Sequence, residues 1–227
     1  MKFVYPWFLV LLLSCGKEKT VVLPKIAHSE ITKIEDISPA YLFYNEKMSD
    51  SIELNRKNLI STTNWLFNVD KRLTLKQAIP KIMFLQEKKR NMKMHRNEDA
   101  KNYYTCNDTG IKNLGFIEFT NVVYHLERSV DYYNKTSDVL KYPSVNLFFN
   151  ASGKIKLNGK LKDSLSYSNR NTLKADIKNL TNEEPYKIDL KLNFDKNLIF
   201  QDYISFKSLV SELKLDNVTV DNNEFIY

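Results

Sequence analysis

The stretch IDLKLNF, Ile188–Phe194, alternates apolar and polar side chains along its whole length. A period of two places alternate side chains on opposite faces of a β-strand, so the stretch predicts a strand with one buried face. Asp195, Lys196 and Asn197 follow it and predict a turn. Apolar residues then recur at the spacing of an amphipathic helix; they are Tyr203, Phe206, Leu209, Val210 and Leu213. Residues 217–220 predict a closing strand.

Upstream of this strand, residues 145–150 and 154–159 predict a β-hairpin, because the second run again alternates polar and apolar side chains. The turn between them contains Gly153, which can adopt a positive φ angle. Within residues 163–180, Leu173, Ile177 and Leu180 recur at helical spacing and predict a helix whose start Ser168 or Asn169 could cap. The predicted order is therefore hairpin, helix, strand, helix, strand.

Two motifs in this half resemble the periplasmic domain of the ExbD/TolR family. Residues 149–160, FNASGKIKLNGK, are similar to the family's hairpin, and residues 190–198, LKLNFDKNL, are similar to its strand that leads through an Asp-Lys pair into a helix. The resemblance covers about residues 144–219 and implies a soluble domain that dimerises or contacts partner proteins or the cell wall. It does not extend to the family's proton-coupling membrane helix, since residues 3–13 contain no acidic residue.

The N-terminal half contains a stretch similar to part of this pattern. Residues 68–73, NVDKRL, resemble residues 193–198, NFDKNL, and an alignment without gaps then places Ile79 opposite Ile204. Two explanations remain open, namely duplication of one unit in residues 38–126 and 144–222, and chance similarity of two turn-plus-helix units. The other elements predicted in this half are a hairpin at 40–44 and 52–54, a helix at 76–89, and strands at 115–119 and 122–126.

These patterns predict an α+β fold of small mixed sheets with helices packed on one face, arranged as one or two ExbD/TolR-like domains. The expected boundaries are an N-terminal domain at residues 31–130 and a C-terminal domain at residues 140–227.

The first residues predict a signal peptide at residues 1–14, with a charged start and an apolar run that is too short to span a bilayer. Leu12, Leu13, Ser14 and Cys15 resemble the lipobox of bacterial lipoproteins, which implies cleavage before Cys15 and attachment of diacylglycerol and palmitate to that cysteine. The alternative is an ordinary signal peptide with a chance cysteine. Two or three acyl chains would anchor the protein firmly to a membrane.

The residues after Cys15 predict where the lipoprotein is sorted. Residues 15–30 are expected to form a polar tether. No acid follows Cys15 directly, whereas an Asp there resembles the inner-membrane retention signal of enteric lipoproteins, so the outer membrane is favoured. Lys17 and Glu18 resemble the surface-export signal of lipoproteins in some Gram-negative groups.

Composition restricts the chemistry of the mature chain. Its formal charge is +6, because removal of Lys2 takes one charge from the +7 of the full chain (7 − 1 = 6). Cys106 is the one cysteine left besides Cys15, so no disulfide framework is expected. The three histidines share no ligand spacing, and no metal site or cofactor is predicted; they are His28, His95 and His125. No motif indicates nucleic acid as a partner.

No catalytic residues are predicted, and the chain is not expected to be an enzyme. Asp70 with Lys71 and Asp195 with Lys196 are adjacent pairs, whose side chains usually point apart, so each Asp is expected to accept backbone N–H bonds in a turn. No serine–histidine–aspartate order, phosphate loop or paired carboxylates stand out.

Three further stretches have alternative interpretations. The aromatic pairs at 103–104 and 132–133, with Trp65, could line a binding surface, but core or edge-strand positions are favoured. Residues 95–110 are polar and are expected to be a linker rather than a functional loop. The basic residues at 87–96 are expected to solvate a helix end, with contact to anionic lipid as the alternative.

The sequence thus predicts a lipid-anchored envelope protein that acts as a binding or scaffold component. The family resemblance implies an accessory role in a biopolymer transport or energy-coupling complex, through a protein partner or a homodimer. The alternative is a surface-exposed lipoprotein that binds an extracellular ligand, such as a glycan or a host protein, with the fold as its scaffold.

Overall fold

The computed structural model describes residues 19–48, 50–92, 97–136, 143–159, 165–181 and 186–227. The predicted signal peptide, Cys15 and His95 lie outside these residues. The described strands are β1 Lys25–Ile26, β2 Ile37–Tyr44, β3 Ile52–Asn55, β4 Asn64–Val69, β5 Asn102–Asp108, β6 Asn113–Glu118, β7 Val123–His125, β8 Ser144–Phe149, β9 Ile155–Gly159, β10 Leu165–Ser168, β11 Ile188–Phe194 and β12 Val218–Ile226. The described helices are α1 Leu75–Arg90, α2 Ser129–Thr136, α3 Leu173–Thr181 and α4 Phe200–Ser211.

The strands form two mixed sheets of six strands each, which confirms the predicted α+β class. The first sheet has the order β1-β5-β4-β2-β3, with β6 paired to β5, and the second has the order β10-β9-β8-β11-β12-β7. Each sheet contains the same unit, in which an antiparallel hairpin is followed by two strands parallel to its first strand. In both units a helix connects these last two strands, as β4-α1-β5 and β11-α4-β12.

The two units meet through reciprocal backbone hydrogen bonds. The N–H of Leu75 donates to the carbonyl of Leu198 at 2.8 Å, and the N–H of Phe200 donates to the carbonyl of Leu73 at 2.7 Å. Corresponding residues are separated by the same 125 positions in the sequence (198 − 73 = 125 and 200 − 75 = 125). The contact is therefore pseudo-symmetric, and its register agrees with the ungapped alignment of residues 68–73 with residues 193–198.

One hydrophobic core is continuous across both units. It contains buried residues of α1 and α4 and of both sheets, and aromatic rings from the two halves contact each other within it. Tyr104 of β5 lies edge-on to Phe200 and to Tyr203 of α4, with ring centroids 5.2 and 6.1 Å apart. The helix α4 thus contacts both sheets, because Phe206 packs on Phe149 of β8 while Tyr203 packs on Tyr104 of β5.

The helix α2 departs from the prediction that helices pack on one face. Leu190 and Leu192 of β11 point into the core, so Lys191 between them points to the opposite face. The ammonium nitrogen of Lys191 lies 3.3 Å from the ring centroid of Tyr133, which belongs to α2. The helix α2 therefore covers part of the outer face of the second sheet.

The described part of the predicted tether is bound to the fold, so the prediction of a tether at residues 15–30 is wrong for its C-terminal part. The strand β1 pairs in parallel with β5. The N–H of Ser29 donates to the buried carboxylate of Asp108 at 2.7 Å. A Cβ atom on Gly115 would lie 2.6 Å from the Cβ of Ser29, so glycine is required for this close approach. Residues 22–31, here called the strap, are packed against the first unit.

The helix predicted within residues 163–180 is present as α3, which contains Leu173, Ile177 and Leu180, and residues 165–168 before it form the strand β10. Two other predictions need correction. Residues 95–110 are not a linker, since residues 102–108 form β5 inside the first sheet. The strand β7 lies within the predicted N-terminal domain but pairs with β12 of the second sheet. None of the described helices is long and apolar enough to cross a bilayer.

Candidate binding groove on the second sheet

A groove lies on the outer face of the second sheet, beside α2. Its volume is about 370 Å³, at the lower end of the range of small-molecule pockets. The hairpin strands β8 and β9 form much of its floor, and β10, β11 and the chain end complete it. The lining residues are Ser129, Val130, Asn146, Phe148, Asn150, Lys156, Asn158, Tyr167, Asn193 and Tyr227.

Asn193 on β11 has an unsatisfied hydrogen-bond acceptor at this groove. Its Nδ2 donates to the carbonyls of Leu147 and Lys191, at 3.3 and 3.1 Å, which fixes the orientation of the amide. Its Oδ1 is buried and has no hydrogen-bond partner. Most buried side-chain polar atoms in proteins are paired, so this acceptor is an exception. Its burial places it beneath the surface of the groove rather than in contact with solvent.

The first unit contains a matched amide in a different setting. Asn68 precedes Asn193 by 125 positions, and its Nδ2 donates to the carbonyls of Ala40 and Leu66, at 3.2 and 3.4 Å. These are the carbonyls of the neighbouring strand and of its own strand, as they are for Asn193. Asn68 is only half-buried, whereas Asn193 is 2% exposed. The amide bridge is thus shared by both units, while the fully buried acceptor occurs in the second unit.

The remaining lining residues combine amides with aromatic rings. Asn146, Asn150 and Asn158 come from the hairpin, and the Oδ1 of Asn146 accepts a bond from the hydroxyl of Ser129 at 3.3 Å. The ring of Phe148 lies 5.6 Å from that of Tyr227. Tyr167 is 62% exposed. Lys156 is the one charged side chain among the described lining residues.

A second pocket, of about 210 Å³, lies at the C-terminal end of α1. Lys89 lines it and donates from Nζ to the carbonyl of Lys101 at 2.9 Å and to the Oδ1 of Asn102 at 3.1 Å. Burial lowers the pKa of Lys89 to about 8. Its ammonium lies 5.2 Å from the ring centroid of Trp65. The Lys89 amine thus already has hydrogen-bond partners and an aromatic neighbour. These contacts explain its position by its role in the fold.

A chain of buried polar groups connects the two units through the core. The hydroxyl of Tyr124 lies 2.5 Å from that of Tyr104 and 3.1 Å from that of Tyr203. The hydroxyl of Tyr203 donates to the carboxylate of Glu224 at 2.7 Å, and Lys207 forms an ion pair with the same carboxylate. Burial raises the pKa of all three tyrosines, so their hydroxyls stay protonated. No cavity adjoins this cluster among the pockets described above, and its role is to hold the units together.

The structure confirms the turn interpretation of the two Asp-Lys pairs. The Oδ1 of Asp70 accepts a bond from the N–H of Arg72 at 3.1 Å, and the Oδ1 of Asp195 accepts one from the N–H of Asn197 at 2.8 Å. Asp70 has a second role, because its Oδ2 accepts a bond from Arg72 at 2.8 Å and one from the N–H of Val22 in the strap. Both carboxylates therefore close turns at the junction of the units.

The other singled-out residues lie in structural positions. Cys106 is buried, and burial raises the pKa of its thiol to about 12, so the thiol stays protonated. His125 bonds to Asn223 at 2.7 Å and stacks on Phe225. Trp65 and Tyr104 are fully buried, as the core interpretation predicted. Within the part of the chain that the structure describes, no group of three or more His, Cys, Asp or Glu could hold a metal ion.

No protein-family model matches the chain, and neither a curated protein nor a solved structure is detectably similar to it. The function of the groove is therefore inferred from its own residues.

Sequence reasoning missed the groove. Asn193 and Lys191 occupy the polar positions of the alternating pattern, which is the pattern of any strand with one solvent-facing side. The one available signal was the number of asparagines on the outward positions of the hairpin and of β11. That signal points to a site only after the strands are known to be neighbours.

Proposed function

We propose that this chain is a lipid-anchored envelope protein that binds a small polar ligand in the groove at Asn193. The observation that carries the proposal is the lining of the groove, in which asparagine amides lie beside the exposed ring of Tyr167 and the half-buried rings of Phe148 and Tyr227. This combination is typical of binding sites in which a few polar groups orient a ligand that packs on apolar surface. The role is binding rather than catalysis.

The predicted anchor and the strap would hold the folded part beside a membrane. Cys15 and Val22 are seven residues apart (22 − 15 = 7), and Val22 is already bound to Asp70. At about 3.5 Å per extended residue, lipid on Cys15 would keep Val22 within about 25 Å of the bilayer surface. The proposed ligand would therefore be encountered at an envelope surface, with the outer membrane favoured over the inner.

The anchor is tested by metabolic labelling of expressing bacteria with an alkyne-tagged palmitate. The wild-type chain should carry the label and a Cys15→Ser variant should carry none. If the wild type and the Cys15→Ser variant are both labelled, or if neither is, the proposal of a lipid anchor on Cys15 is wrong. Protease treatment of intact cells then distinguishes the outward-facing location, in which the protein is degraded, from the periplasmic location, in which it is protected.

The binding role is tested on the mature chain with two sets of soluble probes, oligosaccharides and short peptides. Binding at the groove should perturb the NMR amide signals of Asn193 and of the hairpin residues 144–159. If no probe from either set perturbs these signals at millimolar concentration, the binding proposal is wrong.

A second candidate function is a scaffold for an envelope transport or energy-coupling complex. The observation that favours it is the order hairpin, helix, strand, helix, strand, in which the structure adds only β10 to the order expected from the ExbD/TolR resemblance. In such a role the protein would recruit a protein partner through an open sheet edge such as β3 or β10. Cross-linking from cysteines introduced on β10 should then yield one defined protein adduct in intact cells.

A further inference from the structure

The strap begins at the junction of the two units, beside residues of both. The N–H of Lys71 donates to the carbonyl of Val22 at 2.8 Å, which fixes the start of the strap next to the turn after β4. The side-chain amide of Gln201, on α4, bonds to the backbone N–H and carbonyl of Lys25, at 2.8 and 2.9 Å. The first four residues of the strap are therefore held against both units.

The two units contribute matched positions to this junction. Lys71 and Lys196 are separated by the same 125 positions as the other paired residues (196 − 71 = 125). The N–H of Lys76 donates to the carbonyl of Lys196 at 2.8 Å, and the N–H of Gln201 donates to the carbonyl of Lys71 at 3.1 Å. Three lysines thus lie around the pseudo-two-fold contact, and Lys25 of the strap lies beside them.

These four lysines are available to a partner. The side chains of Lys25, Lys76 and Lys196 are exposed, and that of Lys71 is partly exposed. Within the part of the chain that the structure describes, none of the four forms an ion pair.

The carboxylates nearby offset only part of this positive charge. Asp70 is paired with Arg72. Asp50 and Asp195 accept bonds from backbone N–H groups in their own turns. Two turn carboxylates reduce the charge of four lysines but do not cancel it, so the surface stays basic.

Exposed apolar side chains lie among the lysines. Val22 is 41% exposed, and Ile199, which directly precedes α4, is 40% exposed. Lysines attract anionic lipid head groups, and apolar side chains among them can enter the boundary between head groups and acyl chains. The six residues that share this character are here called the junction face; they are Val22, Lys25, Lys71, Lys76, Lys196 and Ile199.

We infer that the junction face docks on a bilayer that contains anionic lipid. This docking rests on the proposed lipid anchor, because lipid on Cys15 would keep Val22 within about 25 Å of the bilayer. The acyl chains supply the attachment, and the junction face supplies a fixed orientation of the two units on the membrane. A basic surface with exposed apolar residues therefore lies where the anchor would bring the bilayer.

Vesicle binding of the chain from Gly16 onward tests this docking, because that chain contains every described residue and carries no lipid. It should sediment with phosphatidylcholine vesicles that contain phosphatidylglycerol, and added salt should weaken the binding by screening the charges. Each lysine near an anionic surface changes partitioning about fivefold, so Lys71→Gln with Lys196→Gln should weaken binding about 25-fold.

The second unit provides a control with the same change of charge. Lys178 lies on α3, and Lys187 directly precedes β11, at the opposite end of that strand from Lys196; both are exposed. Lys178→Gln with Lys187→Gln should leave vesicle binding within about twofold of the wild type. Equal weakening by the two double variants would attribute binding to net charge and overturn the junction face. Equal binding to vesicles without phosphatidylglycerol would overturn it as well.

A polarity-sensitive fluorophore on an introduced cysteine identifies the surface that contacts the bilayer. Cys106 is buried and does not compete for the label. A label at Ile199→Cys should shift to the blue when anionic vesicles are added. A label at Ile60→Cys, a position that is 57% exposed and precedes β4, should not shift. An equal or larger shift at position 60 would overturn the assignment of this face.

Failure of the docking is distinguishable from failure of the proposed function. If Cys15 carries palmitate but the chain from Gly16 onward does not bind anionic vesicles, the docking is wrong and the anchor remains. If Cys15 carries no palmitate but the vesicles bind through Lys71 and Lys196, the anchor is wrong and the junction face remains a membrane-binding surface.

Discussion

Thr74 and Ile199 lie opposite each other in an isolated antiparallel β-bridge at the centre of the molecule. Each residue directly precedes the first residue of a helix, α1 or α4, and the backbone bonds around the bridge are reciprocal. The two units thus pair as the subunits of a two-fold dimer would, within one chain. This arrangement gives the junction residues Leu73 and Leu198 equivalent roles.

We expect Leu73→Ala and Leu198→Ala each to lower the free energy of unfolding by about 2–5 kcal/mol, because both side chains are fully buried in the shared core. Ile60→Ala, at a side chain that is 57% exposed, should change it by less than about 0.5 kcal/mol. The measurement is urea denaturation followed by tryptophan fluorescence. In a variant that begins at Cys15, Trp65 is the one tryptophan, and it lies in the first unit. An unchanged fluorescence transition in Leu198→Ala would mean that the units unfold independently.

The buried ion pair between Lys207 and Glu224 should behave as a coupled pair. Glu224→Gln can keep the bond to Tyr203 but leaves the ammonium of Lys207, whose side chain is 14% exposed, without its partner. Breaking a buried pair on one side costs about 3–5 kcal/mol. The double variant Glu224→Gln with Lys207→Met removes both charges and should recover part of that loss. Denaturation of the wild type, of each single variant and of the double variant measures it. Additive effects would show that the two charges are not coupled.

Acid should loosen the strap through Asp70. Burial opposes ionisation of this carboxyl, but hydrogen bonds from Arg72 and from the backbone N–H groups of Arg72 and Val22 outweigh it, so the pKa of Asp70 lies below its ordinary value. The ionised carboxylate of Asp70 therefore stabilises the fold at any pH above the pKa of an unfolded-state aspartate, which is about 3.9. This stabilisation is lost as the pH falls from that value through the lower pKa of Asp70 in the folded state.

Asp70→Asn should remove that pH dependence and expose Val22 to amide hydrogen exchange at neutral pH. Asp99→Asn, on an exposed turn, is the matched control and should retain the wild-type exchange. Hydrogen exchange of the Val22 amide between about pH 6 and pH 3 checks both variants. Protection of Val22 that stays the same in Asp70→Asn would contradict the proposed role of the carboxylate.

Lys89 should react with an acylating reagent faster than Lys101 at pH 8. Burial lowers its pKa to about 8, so about half of its amine is neutral and nucleophilic at that pH, against under about one percent for an ordinary lysine. Lys101 is the control, because its bond to Glu118 raises its pKa. Brief acetylation followed by peptide mass spectrometry gives the relative rates. Equal labelling of Lys89 and Lys101 would contradict the effect of burial.

The strands of the second unit illustrate what local sequence can predict. The alternation of Ile188–Phe194 predicts β11, and the turn residues around Gly153 predict the hairpin, because both signals arise from the chain's immediate neighbours. Residues 102–108 lack such alternation and were predicted to be a linker. They form β5, which is buried on both faces, since the core covers one face while Phe116 and the strap cover the other.

The sequence alone determined the α+β class, most of the strands and helices, and the turn role of Asp70 and Asp195. It also predicts a lipobox at Cys15, because that motif consists of residues that are adjacent in the chain. The tertiary structure decided the pairing of the units, the burial of β5 and the groove at Asn193. These features depend on contacts between segments far apart in the sequence, such as Asn193 with Leu147, and the periodicity of a single strand does not specify what covers its outer face.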